Sequence, residues 1–162
     1  MESSNLRFPE DFPTDYQNLP TVSFVIPNMV RDMHDGSPPE SIQSGDTWLR
    51  KNLDPYYQWA KTHNSLLILT FDEDAHARYP GGLTDPASPN PRVANRIPTI
   101  FAGARIQHGD FNEGKGVNHV TILRTLESMY RLKRAGKQPR YADRAGIGDD
   151  LVLVDVFEKA NR

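Results

Sequence analysis

Cysteine is absent from all 162 residues, which removes disulfides and thiolate metal sites; any metal here must bind oxygen or histidine nitrogen. No stretch approaches the roughly 20 apolar residues that a spanning helix needs. The opening residues lack a basic head followed by an apolar core, so no signal peptide is expected in the chain as given. A charge excess is missing as well. Nineteen Lys and Arg face 21 Asp and Glu, a net charge of −2 that gives no general pull toward nucleic acid or anionic membrane.

Proline and glycine, by contrast, are plentiful at 13 and 11 residues, so long loops should join a few regular elements. Residues 1–20 read as an extended lead-in, and residues 21–162 as one domain. The run Thr21-Val22-Ser23-Phe24-Val25-Ile26 is β-branched and aromatic and is stopped by Pro27, which predicts a buried strand. A helix is expected from Asp46, with Pro55 either kinking it or opening a second helix capped by Asp54. Residues 66–71 are apolar on both faces, as in a central strand of a parallel sheet covered by helices. Strand, helix and strand in that order make a βαβ unit. Residues 98–102 predict a third strand, and residues 120–132 a helix with Ile122, Leu123, Leu126, Met129 and Tyr130 on one stripe. Residues 151–157 suit a strand or a short helix equally.

Three loops carry the candidate chemistry. Asp72-Glu73-Asp74 follows the best strand, where ligands of open α/β sheets bind, and consecutive carboxylates repel unless a cation or solvent compensates. Hard divalent cations favour such oxygens; an acidic turn in water is the plain alternative. His34, in Asp32-Met33-His34-Asp35-Gly36, follows the first strand and is able to contact phosphate, ligate metal or move a proton. His119 stands at the start of the amphipathic helix, after Gly114-Lys115-Gly116, where free amides favour an anion. Each histidine alone also reads as an ordinary loop or turn residue. Together the three loops suggest a metal and imidazoles sharing an oxyanion. His63, His76 and His108 read as structural or solvated. The basic residues Arg131, Lys133, Arg134, Lys137, Arg140 and Arg144 read as a solvated loop, with no interleaved aromatics for stacking bases.

The runs around Phe24-Val25-Ile26-Pro27-Asn28, His34-Asp35-Gly36, Gly45-Asp46-Thr47-Trp48, Phe71-Asp72-Glu73, Ile97-Pro98-Thr99 and Asn118-His119 resemble, in order and spacing, the phosphoesterase family of bacterial acid phosphatases and phospholipases C. The likeness covers about residues 19–157. It implies the C-terminal portion of an alkaline-phosphatase-like α/β sandwich, with a mostly parallel sheet flanked by helices. It further implies hydrolysis of a phosphoester small molecule or phospholipid head group, a divalent metal ion on Asp72 and Glu73, and His34 and His119 at the phosphoryl group. Asp74 stands where histidine often follows the Asp-Glu of phospholipases, which leans the substrate toward phosphatase-like phosphoesters. Family members are often secreted or periplasmic. They begin with a longer region holding a Glu-Asn metal motif and the hydroxyl nucleophile, which residues 1–20 do not supply. A truncated gene, a late start or an expressed fragment is therefore expected, with weak turnover alone. A non-catalytic fragment that binds metal or phosphate is the alternative. An exposed sheet edge is expected to favour self-association.

Overall fold

The computed structural model describes residues 12–73, 97–109, 117–138 and 147–158. Asp74, His76, Gly114, Lys115, Gly116, Arg140 and Arg144 lie outside the described residues. Within them the architecture is mixed α/β. Helices α1 (Glu40–Asn52) and α2 (Asp54–Ala60) precede strand β1 (Leu66–Thr70), followed by strand β2 (Thr99–Gly103) and helix α3 (His119–Met129). No helix among the described residues is long and apolar enough to cross a membrane.

Helix α1 starts six residues earlier than Asp46. Pro39 precedes its first residue and Ser41 N–H reaches the Ser37 carbonyl at 3.1 Å, so the Ser-Pro-Pro turn launches the helix. Asp46 is instead an interior residue, paired with Arg50 one turn later at 2.7 Å. The glycine inside this helix has a purpose. A Cβ on Gly45 would lie 2.9 Å from Met33 Cγ and 3.1 Å from the Arg31 carbonyl oxygen, so its absence lets the loop before α1 pack on the helix. At Pro55 the chain does begin a second helix, with Asp54 as its first residue rather than its cap. Leu53, at the junction, is buried.

The lead-in is anchored, not loose, from Phe12 onward. Asp15 accepts from Gln17 N–H and caps a 3-10 turn at Tyr16–Asn18. Tyr16 meets Tyr56 edge-on at 5.4 Å and Trp59 at 5.7 Å, an arrangement that aromatic quadrupoles favour. Tyr56 Oη then donates to the Leu66 carbonyl at 3.1 Å, tying α2 to the start of β1. Burial raises the Tyr56 pKa, against a lowering hydrogen bond with Ser65. His63 stacks on Trp59 at 4.4 Å, the structural role expected of it.

β1 and β2 pair antiparallel, with Leu66 opposite Gly103 and Thr70 opposite Thr99. This is the single strand pairing among the described residues. The expected parallel βαβ ladder is not seen there, because its first strand does not form. Residues 21–26 join neither strand, and Phe24 and Ile26 are 84% and 82% exposed, correcting the buried strand expected from their side chains. β-Branched residues favour extended backbone, but a strand also needs a neighbour to satisfy it. All five β1 residues are correspondingly half-buried.

Residues 147–158 form neither a strand nor a helix but an irregular strap. At one end Ile106 bridges Phe157, and Gln107 N–H donates to the Val156 carbonyl at 3.0 Å. Toward the middle, Leu153 N–H donates to Thr125 Oγ1 on α3 at 3.1 Å. Ile147, Leu153 and Val156 are buried by this route. The strap therefore couples α3 to the chain leaving β2.

Candidate active site

The acidic pair is positioned by the end of β1. There Thr70 Oγ1 and Thr99 Oγ1 share a hydrogen bond at 2.9 Å, closing the ladder just before Phe71-Asp72-Glu73 leaves the sheet. Asp72 Oδ1 accepts Glu73 N–H at 3.0 Å.

His119 is positioned by the start of α3. Asn118 caps the helix: its Oδ1 accepts Thr121 N–H at 3.1 Å while Thr121 Oγ1 accepts Asn118 N–H at 3.4 Å. The first helical residue, His119, then donates from Nε2 to the Asp72 carbonyl oxygen at 2.9 Å. A carbonyl only accepts, so the proton must sit on Nε2, and a neutral ring keeps its acceptor lone pair on Nδ1. This contact, across 47 positions of sequence, brings two of the predicted loops together.

His34 is held within its own loop. Its N–H donates to Asp32 Oδ1 at 2.8 Å, and its Nδ1 lies 3.1 Å from Asp35 Oδ1, with the imidazole partly exposed. Met33 and Gly36 adopt positive φ, 72° and 97°, which turn the chain around the histidine. Arg31 Nη1 donates to Ser44 Oγ at 2.8 Å and fastens the loop to α1.

Asp72 and Glu73 offer the oxygen donors that a hard divalent cation takes, so in donor type they fit two places of its shell. No group of three or more His, Asp or Glu side chains among the described residues is arranged to hold a metal ion.

The largest buried polar feature was not anticipated. Arg124, 2% exposed, lies on α3 and donates to Glu127 Oε2 at 2.8 Å, the Ala135 carbonyl at 2.8 Å, and Asp149 Oδ1 at 3.1 Å. The Glu127 hydrogen bond raises the Arg124 pKa against its desolvation. Burial pushes the Glu127 carboxyl up, but the Ala135 N–H and Arg124 together hold it below its ordinary value. Arg124 likewise holds Asp149 low, assisted by Gln138 N–H. The sequence signal was the Arg124/Glu127 spacing on one helical face, which an apolar-stripe reading passes over.

The model of the phosphoesterase family matches residues 1–133. A phosphatidylinositol-3-phosphatase of Mycobacterium tuberculosis (strain ATCC 25618 / H37Rv) is 46% identical over 124 residues, covering 76% of this chain and 34% of that protein. The chain thus spans about a third of the length of the curated relative it matches. No solved structure matches. On the extent of the family match and the identity to this relative, the chain belongs to the phosphoesterase family.

Proposed function

We propose that this chain supplies part of the active centre of a metal-dependent phosphoesterase, within an alkaline-phosphatase-like α/β sandwich whose main sheet is mostly parallel. The observation that carries the reading is the His119–Asp72 contact, which joins the start of α3 to the acidic end of β1. Asp72 and Glu73 hold a divalent cation. The cation, when bound, supplies positive charge to the phosphoryl oxygens. His34 contacts the phosphoryl group and delivers a proton to the leaving oxygen, while His119, whose Nε2–H is taken by the Asp72 carbonyl, contacts a phosphoryl oxygen through Nδ1 when that nitrogen is also protonated. The curated relative's name favours a phosphomonoester on an inositol lipid head group over phospholipase C-type cleavage.

Calorimetry with manganese chloride tests the metal assignment. Wild-type binding should fall at least about tenfold in Asp72→Ala, the loss of about 1.4 kcal/mol or more that one missing charged ligand implies. Unchanged binding would overturn the assignment. Turnover of a chromogenic phosphomonoester and of phosphatidylinositol 3-phosphate should be weak in the isolated chain, since the nucleophile is supplied by another part of the active centre. Robust turnover would refute this.

The second reading, a chain that binds metal or phosphate without turnover, is favoured by the 34% coverage of the relative. Metal binding without any chelator-sensitive turnover would select it. In either case the exposed run at residues 21–26 promotes self-association, which light scattering would register as species larger than one chain.

A further inference from the structure

We propose that Gln138 is a positioning residue for His119, acting through the Asn118 side chain that caps α3. The proposal rests on reading His119 as an active-site imidazole. Its basis is a reciprocal amide pair across 20 positions of sequence: Asn118 Nδ2 donates to Gln138 Oε1 at 2.8 Å, and Gln138 Nε2 donates to Asn118 Oδ1 at 3.3 Å.

The pair has a defined orientation. Asn118 must present its oxygen to Thr121 N–H to cap the helix, so its amino group faces Gln138. Gln138 must then offer an oxygen to that amino group and its own amino group to the shared Oδ1. A reversed Asn118 amide would place donor against donor at Thr121. Thr121 N–H sets which way the Asn118 amide faces, Gln138 braces it there with two bonds, and the cap fixes the backbone direction of the next residue, His119.

Gln138 is itself held. Its backbone N–H donates to Asp149 Oδ1 at 3.2 Å, the oxygen that also accepts from buried Arg124. A chain of contacts thus runs from the Arg124 cluster to Asp149, Gln138, Asn118 and His119, ending on the Asp72 carbonyl. Gln138 touches neither Asp72 nor Glu73 by these bonds, and its effect on the site passes through the cap.

The test is solution NMR of the uniformly 15N-labelled full chain at one fixed pH, with the His119 ring signals assigned by a His119→Gln variant. Wild-type His119 should show the separated nitrogen signals of a single Nε2–H tautomer. In Gln138→Ala these should move toward averaged values, and Thr121 amide exchange should quicken about fivefold, the size of one weakened helix cap. Gln138→Glu keeps the acceptor for Asn118 Nδ2 but loses the donor to Oδ1, so it should fall between the two. It carries the test if Gln138→Ala fails to fold. A lowered melting temperature with an unchanged His119 signature would overturn the proposal, as would a wild-type His119 with no fixed tautomer. Manganese binding at Asp72 is measured separately, so failure of the functional reading leaves the NMR outcome distinct.

Discussion

On one face of α3, Thr121, Arg124, Thr125 and Glu127 are buried; around the rest of the same helix, Leu123 and Met129 are 38% and 45% exposed. The polar face is sheltered and much of the apolar stripe is open. The difference lies in what each face meets. Residues 133–138 and the strap bring carbonyls and a carboxylate to the polar face, so burying a guanidinium there leaves its donors satisfied. Burial is set by available partners before it is set by hydropathy.

Arg124→Met should break the comparison most severely. It leaves the buried Glu127 carboxylate without its cation and three carbonyls without a donor, and removing one member of such a cluster is strongly destabilising. Circular dichroism should record a deeper fall in melting temperature than for Thr125→Val or Leu123→Ser. A melt like the wild type would show that the cluster is dispensable.

The same cluster should respond to acid. Glu127 and Asp149 both have lowered folded-state values, so their contribution is fully present above the ordinary carboxylate range. It is lost as pH falls through those folded values, on the acid side of the ordinary carboxylate range. Denaturant melts should therefore show stability declining on that acid side. A flat profile between pH 5 and pH 2, taken as approximate limits of the ordinary titration range, would contradict the linkage.

Thr125→Val sharpens the comparison with a smaller change. Thr125 Oγ1 accepts the buried Leu153 N–H and donates to the Thr121 carbonyl. Valine keeps the shape and removes both bonds, which should cost about 1–3 kcal/mol in chemical unfolding. Leu123→Ser, on the open face, should change stability by no more than about 0.5 kcal/mol. A larger loss would mean that this face is covered in solution.

Where structure follows from local preference, the sequence was readable. β1, β2 and α3 lie within a few residues of their expected positions, and Pro55 does open a second helix. The loop pairing His119 with Asp72 was foreseeable because both sit at the ends of regular elements. What escaped reading depends on long-range partners. The run at residues 21–26 has strand chemistry without a paired neighbour, and β1 meets its partner antiparallel. The burial of Arg124 was not legible, since nothing near it in sequence announces Asp149, 25 positions away. His34 was legible as a candidate, and its loop was not: positive φ at Met33 and the seat on Gly45 come from packing.

That seat makes the chain sensitive to oxidants. The Met33 side chain rests so close over Gly45 that even one added carbon would collide with it. A sulfoxide oxygen on the thioether would enlarge and polarise the same side chain. Peroxide treatment should then loosen the turn that carries His34, whereas oxidation of Met129, already open at the end of α3, should leave that helix in place.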